Sequence, residues 1–387
     1  MLMRERDRSM VEWFVVGGSI RDLLLGRGLK DVDFSFRGGT EEFLQLFPHA
    51  RNTGRDLPIW LAGGTEYTAL KEGWEEDFAR RDLTVNACAM DADGRLHAHL
   101  HFAADLRSRT LRLASRRSLE DDPLRLFRAA RFCASMAGFA MDPGSLAEMR
   151  SFSASHRAEI AALPRERVGR ELMRALESPR PSLFLRTLRQ ADCLAHWFAE
   201  FSSADGIPAG PLPWHDNSVL EHTCEVMDRC AGSPLAVWMA MCHDMGKVMT
   251  RPEVLPHHYG HEKRGSEMAG ALGKRLGLPS RWIKAGAVGT LCHMKGGTYG
   301  KLRAGTRRDM LLQLESAGIM HEFWILAAAD SGLDWEQAAQ RELRAIKEVR
   351  LPREWQGLGE ESGRRLRDLQ CAAMSRLPCP VAEKLSI

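Results

Sequence analysis

The stretch V-V-G-G-S-I-R-D-L-L-L-G-R-G-L-K-D-V-D-F-S-F, residues 15–36, decides the fold of the first part of the chain. Its apolar start predicts a strand, the double glycine at 17–18 predicts a tight turn, and the periodicity of residues 19–25 predicts a helix. After that helix the hydrophobic period changes to two. This change predicts a second strand that carries Asp31 and Asp33 on one face.

Two carboxylates on one face of a strand can share metal ions, because residues i and i+2 project in parallel there, whereas on a helix they diverge by roughly 200°. Hard oxygen ligands without Cys or His suit Mg²⁺. The N–H groups of the glycine turn and the guanidinium of Arg21 suit phosphate. Asp31 and Asp33 therefore predict a site where two Mg²⁺ ions about 3.5–4 Å apart serve a bound triphosphate. A solvated hairpin edge is the alternative interpretation of so short a motif.

The run G-G-S-I-R-D-L-L-L-G-R followed by K-D-V-D-F resembles the signature of the bacterial class II tRNA nucleotidyltransferases and their poly(A) polymerase relatives. The resemblance implies template-independent addition of nucleotides to the acceptor end of tRNA. It also implies that Asp31 and Asp33 bind two Mg²⁺ ions, and that Gly17, Gly18 and Arg21 hold the triphosphate.

A second match is R-R-D-L-T-V-N, residues 80–86, which resembles the family motif R-R-D-x-T-x-N. The resemblance implies that Arg81 contacts the triphosphate, that Asp82 reads the ribose hydroxyls and that Asn86 belongs to the same nucleotide site. By residue type alone, Asp82 before an apolar run is as typical of a helix cap.

A third match, residues 118–128, resembles the nucleotide-templating motif, which is usually Glu-Asp-x-x-Arg. Asp122, Arg125 and Arg128 are spaced by three, so we expect them along one helix face, where acceptors and donors alternate. The resemblance implies that Asp122 and Arg125 pair with the Watson–Crick edge of C or A. A capped helix start with an Asp122–Arg125 ion pair is the alternative. Asp121 stands where the family generally has Glu.

The segment from Leu70 to Arg80 is short. Family members that build the full CCA triplet usually carry a longer flexible loop here, which helps the site switch from CTP to ATP. Its absence is characteristic of enzymes that add only the two C residues. We therefore expect C-C addition from CTP, and full CCA addition from CTP and ATP is the alternative.

Composition and charge narrow the class of protein. The chain has 387 residues, 44% of them hydrophobic, which is enough to bury a core in two or three domains. Nine Cys without a C-x-x-C motif argue against a zinc ribbon or a disulfide framework, and no stretch has the length of a signal peptide or membrane span, so we expect a cytoplasmic protein.

Residues 107–189 hold seventeen Arg, no Lys and nine acids, a net charge of +8, whereas the remainder sums to −5. The basic segment predicts contact with RNA phosphates, and solvated helix faces are the alternative.

Histidines gather beyond a Pro/Gly-rich joint at residues 208–213. Their ordered pattern resembles the HD-domain phosphohydrolases, all-helical proteins whose ligands converge on one or two divalent metals. The ligands that the resemblance implies are His222, His243, Asp244, His261, His293 and Asp330, and we expect Lys247 to neutralise a phosphate. Mixed imidazole and carboxylate ligands suit Ni²⁺, Mn²⁺, Fe²⁺ or Mg²⁺. Such a site implies phosphatase or 2′,3′-cyclic phosphodiesterase activity, and a degenerate fold without turnover is the alternative.

The sequence therefore predicts an α+β chain in four parts. These are a polymerase-β-like nucleotidyltransferase head with a mixed sheet (1–115), a helical neck and body (116–207), a helical HD domain (208–335) and a helical tail (336–387). The expected activity is a tRNA nucleotidyltransferase that uses CTP. The alternative from another class is a metal phosphohydrolase whose N-terminal half binds RNA. The oligomeric state is not predicted.

Overall fold

The computed structural model describes residues 11–29, 32–53, 59–70, 73–213 and 216–384. These residues belong to two compact units. Unit 1 is drawn from Met1–Ile160 and Gln190–Cys193, and unit 2 from Ala161–Arg189 and Leu194–Ile387. Asp31, half of the predicted metal pair, lies outside the described residues. The division into four functional parts stays a prediction.

A mixed sheet forms the centre of unit 1. Its strands are β1 (Glu12–Val16), β2 (Asp33–Arg37), β3 (Arg51–Asn52), β4 (Ile59–Ala62), β5 (Thr65–Ala69), β6 (Cys88–Met90) and β7 (Leu96–Ala98). They are ordered β3-β4-β5-β2-β1-β6-β7, and of the neighbouring pairs only β2 and β5 run parallel. Asp33 is the exposed first residue of β2, the fourth of the seven strands, and this position does not test the interpretation of its motif as a solvated hairpin edge.

Helices cover both faces of this sheet and continue beyond it. They are α1 (Gly18–Leu24), α2 (Thr40–Leu46), α3 (Trp74–Ala79), α4 (Phe102–Ser108), α5 (Arg117–Asp121), α6 (Arg125–Ser135), α7 (Pro143–Ser155) and α8 (Arg157–Ala161), with a parallel strand pair β8 (Thr110–Leu111) and β9 (Ala140–Met141). The predicted strand, turn and helix at the start are confirmed. Gly17, at the turn, has φ 75° and ψ −137°, a conformation that a side chain would strain.

Successive side chains of β1 and β2 point to opposite faces of the sheet, so these two strands contribute to a hydrophobic core on each face. Trp13 packs with Phe36 and Phe43, whose rings stack with centroids 4.5 Å apart. Phe14, the next residue of β1, instead packs edge-on against Trp74 at 4.8 Å. Aromatic pairs of this kind add to the burial of apolar area, so β2 is held rigidly where Asp33 begins it.

Unit 2 is almost entirely helical. Its elements are α9 (Arg165–Leu176), α10 (Ser182–Gln190), α11 (Val219–Arg229), α12 (Pro234–Cys242), α13 (His261–Arg275), α14 (Ser280–Gly297), α15 (Ala304–Ala317), α16 (Met320–Ser331), α17 (Glu336–Glu348) and α18 (Glu360–Ser375), with a short antiparallel pair β10 (Leu333–Asp334) and β11 (Glu383–Lys384). Every residue of α12 after its first is buried, as expected for the central helix of a bundle. Among the described residues, no helix combines the length and apolar character needed to cross a membrane.

Together the two units have the predicted α+β character. The mixed sheet lies at the N-terminal end and the helices follow it, so the predicted fold class is confirmed.

Candidate functional sites

One cavity in unit 1, with a volume of about 370 Å³, collects the predicted nucleotide-binding residues. Its lining includes all those that the structure describes: Gly17, Gly18, Arg21, Asp33, Arg81, Asp82, Asn86, Asp122, Arg125 and Arg128. The five arginines and three aspartates of the lining, Arg80 included, leave a positive balance. A cavity of this charge suits an anionic ligand such as a nucleoside triphosphate.

The sheet places Asp33 beside the glycine turn. Asp33 is the first residue of β2 and pairs in register with Val16, the last residue of β1. The turn follows directly, and its Gly17 N–H donates to the carbonyl of Cys88 at 3.0 Å. Asp33 is exposed within the cavity, so its carboxylate is accessible to a hydrated cation. Carboxylate oxygen is the donor that Mg²⁺ prefers, so the residue present fits the implied metal.

Two adjacent arginines are oriented by a buried carboxylate, Asp77. Both Nε and Nη2 of Arg81 donate to Asp77 Oδ2, at 3.1 and 2.9 Å, and Arg80 Nε donates to Oδ1 at 3.1 Å. A Cβ atom on Gly17 would lie 3.4 Å from Arg81 Nη1. The guanidinium of Arg81 therefore lies against the turn, where it can contact a phosphate held by that turn.

A buried network joins Asp82 to three other predicted residues. Its Oδ1 accepts from Asn86 Nδ2 at 2.9 Å, and its Oδ2 accepts from Nε and Nη2 of Arg128 at 3.0 and 2.6 Å. Arg21 donates in turn to the side-chain oxygen of Asn86. Burial raises the pKa of Asp82, but Arg128 and Asn86 outweigh it and hold that pKa well below its ordinary value. Asp82 is therefore an ionised acceptor with a fixed orientation.

The expectation that Asp122, Arg125 and Arg128 share one helix face is wrong. Asp122 has extended backbone, φ −155° and ψ 99°, and lies between α5 and α6, so only the two arginines belong to α6. Its Oδ1 accepts from Leu124 N–H at 3.1 Å, which makes it the cap of a turn before the helix. All three side chains still line the cavity, because the turn brings Asp122 to the start of α6.

Sequence reasoning missed several residues of this site. The spacing of Asp77 to Arg80 and Arg81, three and four residues, was the signal that could have found Asp77. Thr68 lines the cavity, and since side chains alternate along a strand, Glu66 lies on the same face of β5. Ser35 pairs with Thr68 between parallel β2 and β5, so Asp33 and Glu66 each precede that pair by two residues. Only strand register, which the sequence does not show, places this second carboxylate beside Asp33.

In unit 2 the predicted HD-domain ligands meet in one buried cluster. Asp244 lies between two groups that could each hold a metal ion, one with His222 and His243, the other with His261 and His293. Its Oδ2 is 3.2 Å from His243 Nε2, and its Oδ1 is 3.3 Å from His261 Nε2. Asp330 Oδ1 lies 3.1 Å from His222 Nε2 on the first side. All six predicted ligands are therefore brought together.

The hydrogen bonds of the imidazole rings favour metal binding. The Nδ1 atoms of His243, His261 and His293 lie 2.7, 2.6 and 2.7 Å from backbone carbonyls, which only accept, so each Nδ1 carries a proton. The Nε2 atoms then point inward, and those of His261 and His293 are 3.2 Å apart. Two lone pairs at that distance repel unless a cation lies between them. Backbone carbonyls that orient ligating histidines in this way are the usual outer partners of a metal centre, so the cluster fits the implied transition metal.

The electrostatics of the cluster also favour a cation. Burial lowers the pKa of His243, but the carboxylates of Asp244 and Asp330 outweigh it and raise that pKa to about 9. Burial raises the pKa of Asp244, yet His243 and Lys247 hold it well below its ordinary value. A metal ion would replace the proton that this field attracts.

The expectation that Lys247 neutralises a bound phosphate stays a prediction, and the structure pairs this lysine with a buried carboxylate. Its Nζ lies 2.6 Å from Asp244 Oδ2 and donates to the carbonyl of Ala209 at 2.7 Å, and the side chain is buried. Lys247 thus holds the shared carboxylate in place.

Two family models match parts of the chain. The Poly A polymerase head domain matches residues 13–58, and the model described as the probable RNA and SrmB-binding site of polymerase A matches residues 138–205. The first includes Asp33 and the glycine turn of the cavity.

Curated relatives match along nearly the whole length. The chain is 33% identical to the Multifunctional CCA protein of Methylococcus capsulatus, with 94% of each covered. It is 31% identical to the Multifunctional CCA protein of Halorhodospira halophila, over 96% of this chain and 98% of the relative.

Solved structures share the fold. The CCA-adding enzyme of Bacillus stearothermophilus in complex with CTP has a TM-score of 0.64 at 21% identity, covering 96% of this chain and 90% of that one. The Thermotoga maritima CCA-adding enzyme complexed with tRNA has a TM-score of 0.58 at 18% identity, with 95% and 88% covered. With the cavity and its motifs, the full-length relatives show that this chain belongs to the bacterial class II tRNA nucleotidyltransferases, the family of the CCA-adding enzymes.

Proposed function

We propose that the chain adds C-C to the 3′ end of tRNA, with CTP as substrate and without a nucleic-acid template. The observation that carries this proposal is the cavity of unit 1, where one acidic strand, one glycine turn and several arginines meet. In the reaction the terminal 3′-oxygen of tRNA bonds to the α-phosphorus of CTP, and the bond to pyrophosphate breaks. The hydroxyl proton leaves to a neighbouring base.

The acidic side of the cavity is assigned to metal binding. Asp31 and Asp33 would hold two Mg²⁺ ions, which lower the pKa of the attacking hydroxyl and neutralise the leaving pyrophosphate. We add Glu66 as a third carboxylate on this side, because its position on β5 matches that of Asp33 on parallel β2. Asp33, which lines the same cavity as the arginines, would help to orient the triphosphate with its reacting phosphorus toward β2.

The basic side of the cavity is assigned to the phosphates and the sugar. Arg81 lies against Gly17 and is braced by Asp77, so it can contact a phosphate without reorganisation. Arg21 would help to hold the triphosphate. Asp82 would accept from the ribose hydroxyls, since a carboxylate whose pKa is held low remains an acceptor at neutral pH.

We assign recognition of the base to Asp122 and Arg125, and we assign to Arg128 the positioning of Asp82. The Watson–Crick edge of cytosine has an amino group that donates and two atoms, N3 and O2, that accept, so its recognition needs both an acceptor and donors. Asp122 supplies the first and Arg125 the second at the start of α6. Arg128 donates twice to Asp82, so it orients the sugar-binding carboxylate instead of reading the base.

Addition of the full CCA triplet is the second candidate, and the names of the full-length relatives favour it. The test uses three tRNA transcripts, one lacking CCA, one ending in C and one ending in C-C, each with CTP alone or ATP alone. C incorporation into the first two and no A incorporation into the third supports C-C addition. Incorporation of A into the third transcript establishes the full CCA activity and overturns the narrower proposal.

For unit 2 we propose a metal-dependent phosphohydrolase that acts on RNA ends. The support is the buried cluster, in which Asp244 joins two groups of inward Nε2 atoms. The two groups would hold Ni²⁺, Mn²⁺, Fe²⁺ or Mg²⁺, and such an ion would supply activation of water for attack on a phosphate ester. Among the described residues, His261 and His293 form the second group with Asp244, so three protein ligands would hold the second ion. Hydrolysis of adenosine 2′,3′-cyclic phosphate by the metal-loaded protein tests this second activity.

The remaining alternative is a phosphohydrolase whose N-terminal half only binds RNA. In that case Asp33→Ala would leave every activity intact, whereas His243→Ala would remove it. Under the proposal, each substitution abolishes one activity and spares the other.

A further inference from the structure

Two aromatic rings lie exposed on the loop that precedes α13. His257 and Tyr259 stack with centroids 5.8 Å apart and an angle of 13° between their planes. Tyr259 is 74% exposed. An exposed ring of this size has lost little contact with water, so the pair adds little to the stability of the fold. It does present a flat surface on which another ring can stack.

The residue between the two rings anchors the loop. His258 is half-buried; its Nε2 lies 2.8 Å from the carbonyl of Pro208, and its Nδ1 lies 2.8 Å from Thr250 Oγ1. Since the carbonyl only accepts, Nε2 carries the proton and Nδ1 accepts from Thr250. His258 therefore fixes the loop from the inside, while both its neighbours remain exposed.

The same loop contacts the metal centre through its backbone. The carbonyl of His258 accepts from Nδ1 of His261, a metal-ligand candidate, at 2.6 Å. Tyr259 is thus next to the residue that orients this ligand, and two positions before the ligand itself. The stacked pair therefore lies on the loop whose backbone positions one of the candidate metal ligands.

Two cationic residues and one acid, Glu262, follow the exposed ring on the first turn of α13. Arg264 Nη2 donates to the carbonyl of Tyr259 at 3.1 Å, and Lys263 is exposed on the same turn of α13. An aromatic face with neighbouring cations is the combination that single-stranded nucleic acids use, with bases on the rings and phosphates near the charges.

We propose that the His257–Tyr259 pair stacks on the terminal nucleobase of an RNA whose phosphate ester is bound at the metal centre. This inference rests on the proposed phosphohydrolase function and names its substrate as a nucleotide, not a simple phosphate ester. Stacking tolerates any base, because every base has a π-face. The site therefore selects RNA ends without selecting their sequence.

The test compares two substrates that differ only in the base. Adenosine 2′,3′-cyclic phosphate carries the base, and the 2′,3′-cyclic phosphate of methyl riboside has a methyl group in its place. In Tyr259→Ala, full-length and Mn²⁺-loaded, KM for the adenosine substrate rises by about tenfold, the loss expected for one base stack, while KM for the base-free substrate is unchanged. Tyr259→Trp keeps the ring and keeps KM within about twofold. Leu100→Ala, at an 80% exposed residue of unit 1, is the matched control and changes neither KM.

Equal effects of Tyr259→Ala on both substrates, or no effect on either, overturn the stacking proposal while the phosphohydrolase function stands. A wild-type protein that hydrolyses neither substrate with any of the four metals overturns the phosphohydrolase function and this inference with it. The two failures are therefore distinguishable.

Discussion

Arg128 donates twice to a single oxygen of Asp82, at 3.0 and 2.6 Å, across 46 residues of sequence. The pair connects α6, which carries Arg125, the proposed reader of the base, to the motif proposed to bind the ribose. Asp82 thus depends on α6 for its orientation. A nucleotide site built this way couples recognition of the sugar to the position of the base-reading helix.

The first prediction concerns sugar selection. Arg128→Ala frees Asp82 to rotate, so the preference for CTP over dCTP falls by about tenfold, the effect of about 1.4 kcal/mol. The measurement is kcat/KM for both nucleotides on a tRNA lacking CCA. Arg116→Ala, an exposed arginine nearby in sequence, is the control and leaves the ratio unchanged. An unaltered ratio in Arg128→Ala would remove the positioning role.

The second prediction is the pH dependence of stability. The pKa of Asp82 is lowered in the folded protein, so its contribution is complete above the unfolded pKa near 3.9 and is lost as pH falls toward the folded value. At pH 7 Asp82→Asn lowers the free energy of unfolding of unit 1 by about 2 kcal/mol, and the difference from wild type shrinks below about pH 4. Urea unfolding at several pH values measures it. A difference that stays constant down to pH 3 contradicts the assignment.

The third prediction concerns Glu66. If this carboxylate faces the metal ions beside Asp33, Glu66→Gln lowers kcat or raises the Mg²⁺ concentration at half-activity by about 10- to 100-fold. KM for tRNA stays unchanged if Glu66 acts only on the metal ions. Titration of CTP incorporation with Mg²⁺ gives both values, and Glu41→Gln, at an exposed residue of α2, serves as control. Wild-type behaviour of Glu66→Gln would leave the metals to Asp31 and Asp33 alone.

The fourth prediction is the metal content of unit 2. His243→Ala removes one ion and His293→Ala the other, because each belongs to one group, whereas Asp244→Ala removes both. Elemental analysis of the dialysed, Mn²⁺-loaded proteins counts the ions, and CTP incorporation stays at the wild-type level in all three. His321→Ala, at a 70% exposed side chain, is the control. Equal metal content in His293→Ala and wild type would disprove the second ion position.

Local patterns in the sequence predicted what local physics determines. The glycine turn, α1 and the start of β2 follow from periodicity and from the positive φ of Gly17. The fold class and most of the residues that line the cavity were also predictable, largely because three separate motifs resemble one family.

Features that depend on tertiary contacts were not predictable. Spacing by three placed Asp122 on a helix, but the chain turns at Pro123 and the side chain caps that turn instead. The ion pair of Lys247 with the buried Asp244 was not predicted either. Glu66 becomes a candidate only through the register of parallel strands, which no local pattern encodes.

The most direct test of the central claim is incorporation of labelled CTP into a tRNA lacking CCA by wild type, Asp31→Ala and Asp33→Ala, each with hydrolysis of adenosine 2′,3′-cyclic phosphate measured in parallel. The account predicts C incorporation by wild type only, with hydrolysis intact in all three proteins. Incorporation by either variant at a rate near that of wild type would contradict it.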